Sequence, residues 1–386
     1  MTKKWIILIF LLKWSNIKYM SMQFEHVPIM AKEILDYLSP KEGDVFLDGT
    51  IGGAGHSILF AEKIGKNGKL IGIDKDETAL EVSGERLAKF ENAVLVRDDF
   101  KNIKQILADL KIKKLNGALL DLGVSSYQLD TAERGFSFRN DGPLDMRMDK
   151  RQEFSAWEVV NTFTKEKIAK IIKEYGEEDF ANLIASSIVK QREISPINST
   201  IELKNVIENC LPKKIVYKSG GCSKKTFQAI RIFVNGELES LSEAIQVIID
   251  SLEKGGRFAI LTFHSLEDRI VKNVFKDNST GCICPPKTPI CICGHKAKIK
   301  LVNRKPDTAG EFEVLQNSRS TCAKLRVVEK IWIFNGKGAY DYDRCKTHPF
   351  RKDISRRKRY WRSKRKNQKK YFWRNEKIFS WTRSCW

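Results

Sequence analysis

No apolar run in this sequence reaches the roughly 20 residues that a membrane-spanning helix needs. The nearest approach, residues 5–12, follows Lys3 and Lys4 and resembles the apolar stretch of a signal peptide. It lacks the small-residue cleavage site, because Lys13, Trp14 and Asn16 come next. A membrane partner is therefore not expected, a cytoplasmic location is, and residues 1–21 read as a spurious extension upstream of a start at Met20 or Met22. Cysteines are few and irregular. Nine in 386 residues, without regular spacing outside one short cluster, exclude a disulfide scaffold and suit a reducing compartment. Internal repeats are absent. Acidic residues are scarce in one region, 331–386, where eighteen Lys or Arg face four Asp or Glu. That surplus of fourteen leaves only +7 of the formal +21 for the main body. A polyanionic partner such as nucleic acid is suggested, but a mildly basic body argues for it less strongly than the total does.

What is present is an alternation of short apolar strands and helical stretches from Asp44 onward, which predicts an α/β fold with a mainly parallel sheet. Residues 45–48, 70–74, 93–96 and 117–121 read as four strands, each ending near an acidic residue or glycine where a ligand crevice would open. A fifth, 257–263, follows only after a gap far longer than one helix and two loops require, so a segment is inserted. The insert reads as helical. Ser155 with Glu158, and Ser199 with Glu202, have capping-box spacing. Ile168, Ile171, Ile172 and Tyr175, then Phe180, Leu183, Ile184 and Ile188, recur at helical spacing. Helices over 227–234 and 238–252 are expected to rejoin the sheet, the second stopped by Gly255 and Gly256. Residues 325–328 alternate as a last strand.

Asp48-Gly49-Thr50-Ile51-Gly52-Gly53-Ala54-Gly55-His56 follows a strand and opens a helix, with glycines where backbone must approach a ligand closely. A nucleotide-type cofactor is expected there. The dinucleotide pattern G-x-G-x-x-G fails, because its last position falls on Ile58 when counted from Gly53 and Gly55. S-adenosylmethionine carries a sulfonium and an ammonium instead of a pyrophosphate, so an acid such as Asp48 suits it. Asp74, ending the next strand, can accept from ribose hydroxyls, and Asp98, Asp99 and Phe100 can meet an adenine. Read alone, these are equally solvated strand-end acids and a core phenylalanine.

Leu120-Asp121-Leu122-Gly123-Val124-Ser125-Ser126-Tyr127-Gln128-Leu129-Asp130, Arg134-Gly135-Phe136-Ser137-Phe138 and Gly142-Pro143-Leu144-Asp145-Met146-Arg147-Met148-Asp149 form long, ordered motifs. Thr226-Phe227-Gln228-Ala229-Ile230-Arg231-Ile232 and Phe263-His264-Ser265-Leu266-Glu267-Asp268-Arg269-Ile270-Val271-Lys272 follow. With His26-Val27-Pro28 and Lys324-Leu325-Arg326, they make the chain closely resemble the ribosomal RNA small subunit methyltransferase H family over residues 24–330. The resemblance implies a seven-stranded, Rossmann-like S-adenosylmethionine-dependent methyltransferase sheet with an inserted helical RNA-recognition domain. It divides the chain into 22–130, an insert at 131–225, a second methyltransferase part at 226–330, and a basic aromatic tail at 331–386. It also implies N4-methylation of cytidine 1402 of 16S rRNA, presented as free RNA or within the assembled small subunit; a homodimer is compatible with it. Cofactor contacts carry over to Ala54, Gly55, His56, Asp74, Phe100, Asp121 and Gln128. Ala54 stands where relatives often have glycine, harmless if its φ is negative. A DNA amine methyltransferase and a non-catalytic RNA-binding factor of the same fold remain the rival readings.

An exocyclic amine conjugated into cytosine is a poor nucleophile, so it must be aligned with the methyl group and lose its proton to an acceptor. The aromatic-bearing Asn/Asp-Pro-Pro pattern of many nucleic-acid amine methyltransferases is absent. Candidate catalytic groups are Asp121, Asp145 and His264, with Asp149, Glu267 and Asp268 nearby in sequence. Arg134, Arg139, Arg147 and Arg231 are candidate phosphate contacts and Phe136 or Phe138 a candidate base-stacking ring. The plainer alternatives are an ion-pair network among Asp145, Arg147 and Asp149, a satisfied His264, a solvated arginine rim and packed phenylalanines. Cys282, Cys284, Cys291 and Cys293, with His295 behind them, could hold a structural zinc, although C-x-C is tighter than the usual knuckle and prolines could stiffen the loop unaided. The tail interleaves Trp and basic residues like a nucleic-acid arm, yet the resemblance stops before it, and disorder or a frameshift is the favoured reading.

Overall fold

Seven strands, most of them apolar at their centres, pair into one sheet: β1 (Val45–Asp48), β2 (Lys69–Asp74), β3 (Ala93–Arg97), β4 (Leu115–Asp121), β5 (Leu252–Thr262), β6 (Ile299–Leu301) and β7 (Lys324–Lys330). The computed structural model describes residues 28–212, 222–282, 284 and 292–331. Expectations attached to residues 1–27, Cys291 and the tail beyond Ile331 lie outside the described residues. The spatial order is β3-β2-β1-β4-β5-β7-β6. The first five strands in that order are parallel, while β7 runs antiparallel to both β5 and β6. The chain adds strands in one direction from β1 to β3, then returns to the other side of β1 with β4. The crevice at the carboxyl ends of β1 and β4 is therefore the switch point where such sheets bind ligands.

Alternation along each strand sends side chains to both faces. Leu47, Ala118, Leu120, Phe258 and Ile260 pack with Leu241, Ile245, Ile248 and Phe275 on one side. Phe46, Leu70, Leu119, Ala259, Leu261 and Val327 pack with Ile34, Leu38, Phe60 and Ile64 on the other. A third apolar cluster lies between β4 and β5 in sequence, built by helices Ala156–Thr162, Lys165–Gly176, Ala181–Ile194, Thr200–Asn209 and Cys222–Asn235. Both capping boxes form: Ser155 and Ser199 accept at the helix starts while Glu158 and Glu202 reach back.

Three expectations are corrected. Phe227, Ala229, Ile230 and Val234 pack into the core of the helices between β4 and β5, so their helix does not rejoin the sheet. The following helix ends at Ser251, and β5 begins at once at Leu252, ahead of Gly255 and Gly256; extended backbone at Leu252 stops the helix before the glycines are reached. Leu183, expected on the apolar face, is exposed. The short edge strand β6 carried no periodic signal in three residues. Among the described residues no helix is long and apolar enough to cross a membrane.

Candidate active site

Three parallel strands end in aspartate, Asp48, Asp74 and Asp121, and the loop after β1 threads between them. Its backbone is fastened to all three. Gly49 N donates to Leu119 O at 3.0 Å, Gly52 N donates to Asp74 Oδ2 at 2.9 Å, and Asp121 N donates to Thr50 Oγ1 at 2.7 Å. Asp48 is buried and accepts from Ser57 Oγ at 2.7 Å and from Thr50 N at 3.2 Å. A Cβ on Gly49 would come within 2.4 Å of Leu120 Cδ2 and 3.7 Å of Phe100 Cβ, so any side chain there would have to displace Leu120, and Phe100 flanks the loop. The loop feeds the helix Gly55–Ile64, whose N-cap, Ala54, has φ 60° and ψ 22°. The negative φ expected there is not found. Alanine occupies a left-handed position that glycine adopts without its steric penalty.

His56 is buried, with Nε2 3.0 Å from Ile29 O and Nδ1 3.8 Å from Asp121 Oδ2. Asp121 itself is divided. Its side chain keeps 30% exposure, yet Oδ1 is buried with no hydrogen-bond partner among the described residues. Burial pushes its carboxyl up to about 8, and the neighbouring charges of Asp48 and Glu267 add to the rise. Burial likewise lifts Asp48 and Asp74 to about 6. Three crowded carboxyls around one backbone loop make a pocket short of positive charge, the electrostatic complement of a small cationic ligand.

Gln128 does not point its amide into an open pocket. Oε1 accepts from Ser125 N, completing a capping box, and Nε2 donates to Asp76 Oδ2 at 2.8 Å. The same Asp76 oxygen accepts from Arg134 Nη1 at 2.7 Å.

A protein-family model described as the MraW methylase family matches residues 23–331. A protein named ribosomal RNA small subunit methyltransferase H from Finegoldia magna is 49% identical over 312 residues, covering 80% of this chain and 100% of its own. One of the same name from Geobacter sp. is 50% identical, covering 80% and 99%. The chain belongs to the MraW methylase family. Among solved structures, an rRNA methylase from Streptococcus thermophilus matches at 13% identity with a TM-score of 0.36, covering 78% of this chain and 94% of that one.

On the expected substrate side of this methylase, three of the four arginines are committed to carboxylates. Arg134 is buried against Asp76 and also donates from Nη2 to Arg147 O at 2.9 Å. Arg147 grips Asp145 through Nε and Nη2, both at 2.8 Å. Arg231 grips Glu237 through Nε and Nη2, both at 2.9 Å. Only Arg139 is exposed without an ion pair found here among the described residues. Phe136 is packed in the helical core, and Phe138 sits partly buried, edge-on to Phe227. Asp149 pairs with Arg151, not with Arg147. Burial pushes Asp145 up, but the hydrogen bonds from Arg147 outweigh it and hold the carboxyl below its ordinary value.

His264 caps the helix Ser265–Ser279: Nδ1 accepts from Glu267 N at 3.4 Å and Nε2 lies 3.0 Å from Glu267 Oε1. The cap occupies Nδ1, while Nε2 is buried and makes no hydrogen bond among the described residues despite its closeness to Glu267; Asp268 pairs with Arg326 of β7. Sequence reasoning missed Asp76, Glu237 and Asn235. Asp76 carried a local signal, since it is the N-cap of the helix Glu77–Leu87 and accepts from Thr78 N. Asn235 had none: it accepts from Met148 N and donates to Met146 O, partners distant in sequence.

Proposed function

We propose that this methylase transfers the methyl group of S-adenosylmethionine to the exocyclic N4 of cytidine 1402 of 16S rRNA, in the cytoplasm, on naked RNA or the assembled small subunit. The observation that carries the reading is the unpartnered Oδ1 of Asp121 at the switch-point crevice. In its ionised form Asp121 has an Oδ1 lone pair that no donor takes among the described residues, and a sulfonium beside it would favour that form, which suits an amine that must shed a proton.

The loop residues Gly52 to His56, with Asp74 and Phe100, would hold the donor, which supplies an activated methyl when bound. Asp48 and Asp74 would face its cationic and ribose portions. Asp121 would align the amine and take its proton, with His56 adjacent to the same carboxylate. Gln128 would act by holding Asp76 and the turn after β4. Arg139 is the arginine best placed for a phosphate, and Phe138 the ring with a partly open face. The names borne by the relatives support the rRNA substrate.

The test is incubation of purified protein and labelled donor with undermodified small subunits, naked 16S rRNA or DNA, followed by mapping of the label. Label at N4 of the target cytidine is expected. Transfer to DNA alone would replace the RNA reading, and no transfer to any substrate, with donor binding intact, would make the chain a binding factor.

A further inference from the structure

The connection from Ser279 at the end of one helix to Ile299 at the start of β6 is long, and none of its described residues is buried. Its feet are clamped, since Lys298 N donates to Asn278 O at 2.8 Å. Among its described residues no buried apolar side chain offsets the entropy of ordering it. What it has instead is sulfur. The Sγ atoms of Cys282, Cys284 and Cys293 all lie within 4.8 Å of one another, and those of Cys282 and Cys293 are 3.8 Å apart.

That spacing is informative. A disulfide requires about 2.05 Å between sulfurs. Two thiolates on one tetrahedral zinc, each bonded at about 2.3 Å, stand roughly 3.8 Å apart, because the edge of a tetrahedron is about 1.63 times its centre-to-corner length. We propose that Cys282, Cys284 and Cys293 bind a single structural zinc ion that closes this connection. Cys291, the other cysteine of the cluster, lies outside the described residues, and the three thiolates carry the inference without it.

Each thiol releases its proton as it binds, so three thiolates around Zn²⁺ leave one net negative charge. Soft sulfur donors select zinc over magnesium or calcium, and the three thiolates fill three of its four tetrahedral positions. The site is independent of the methyl-transfer crevice, because no residue is shared.

The experiment is elemental analysis of the full-length protein, purified under reductant after growth with zinc. About one zinc per chain is expected. The double substitution Cys282→Ser with Cys293→Ser should lower it at least tenfold, while Cys210→Ser with Cys322→Ser should leave it unchanged. Cobalt(II) exchanged into the unsubstituted protein gives a test that needs no variant: thiolate-to-cobalt charge-transfer bands with tetrahedral d–d absorption support the site. Sub-stoichiometric zinc that added zinc does not restore, zinc retained by the Cys282/Cys293 double variant, or an octahedral cobalt spectrum would each overturn the proposal.

Discussion

Arg134 and Asp76 form an ion pair at 2.7 Å with both side chains almost wholly buried. The pair joins the turn after β2 to the segment that leads into the inserted helices. Asp76 also receives Gln128, two residues beyond the carboxylate of Asp74 that holds the loop after β1. One buried oxygen thus connects the strand ends to the segment after β4, and the guanidinium is completed by the carbonyls of Arg147 and Met148.

Removing one partner of such a pair leaves the other charged and desolvated. Arg134→Ala should lower the unfolding free energy by about 3–5 kcal/mol. In urea titrations, the Asp76→Ala/Arg134→Ala double variant should lose much less than the two single losses combined, because neither charge is then stranded. Arg139→Ala, at an exposed position, should stay within about 0.5 kcal/mol of the parent. Additive losses from Arg134 and Asp76 would show that the pair is not the connection inferred.

Ala54 sits at φ 60° with its methyl group fully buried. The left-handed conformation costs a non-glycine residue about 1–2 kcal/mol, and glycine repays part of that in unfolded-chain entropy. Ala54→Gly should therefore raise stability by about 0.5–1 kcal/mol, read as a higher urea midpoint with an unchanged slope. A lower midpoint would mean that the lost methyl contact outweighs the relieved strain.

Strand ends and capping boxes were legible because their signals are local: an apolar run ending in aspartate, or Ser followed three residues later by Glu. The glycine-rich loop between β1 and the helix after it was legible for the same reason. The partners of the arginines were not. Arg134 finds Asp76, and Asn235 finds Met146 and Met148, only after the chain has folded back over long separations. Sequence spacing suggested Asp145, Arg147 and Asp149 as one cluster, but Arg147 faces Asp145 while Arg151, two residues after Asp149, claims that carboxylate. His264 reads in sequence as a candidate catalytic group or a satisfied histidine; its role as a helix cap is not read there, and its Nε2 has no hydrogen-bond partner among the described residues.

The raised carboxyls set a pH dependence. Asp48 and Asp74 at about 6 and Asp121 at about 8 bind protons more tightly in the folded chain than at their ordinary value of 3.8. Where the native state holds more protons than the unfolded one, stability falls as pH rises. Their contribution is therefore complete below about pH 4 and lost as pH climbs through 6 and then 8. Asp145, Asp149 and Asp268, held low with arginine partners, titrate below this window. Urea midpoints of the ligand-free protein should decline between about pH 5 and 9, and Asp121→Asn should flatten the upper part of the decline. A midpoint that rises with pH across this range would contradict the crowding of these acids.

Asp121 and Asp145 compete for the role of proton acceptor, and their surroundings separate them. Asp145 spends both oxygens on Arg147, which stabilises its charge and weakens it as a base. Asp121 has Oδ1 unpartnered and a raised affinity for a proton. General-base contributions run at about 10²–10⁴-fold. Asp121→Asn should cut single-turnover methyl transfer by about 10²-fold or more while changing affinity for the demethylated product far less. Asp145→Asn, which keeps an oxygen for Arg147, should stay within about tenfold of the parent, a loss of orientation without a lost base. If instead Asp145→Asn abolished transfer and Asp121→Asn left it intact, the acceptor would lie on the segment after β4, and the unpartnered oxygen at the switch point would serve only the donor.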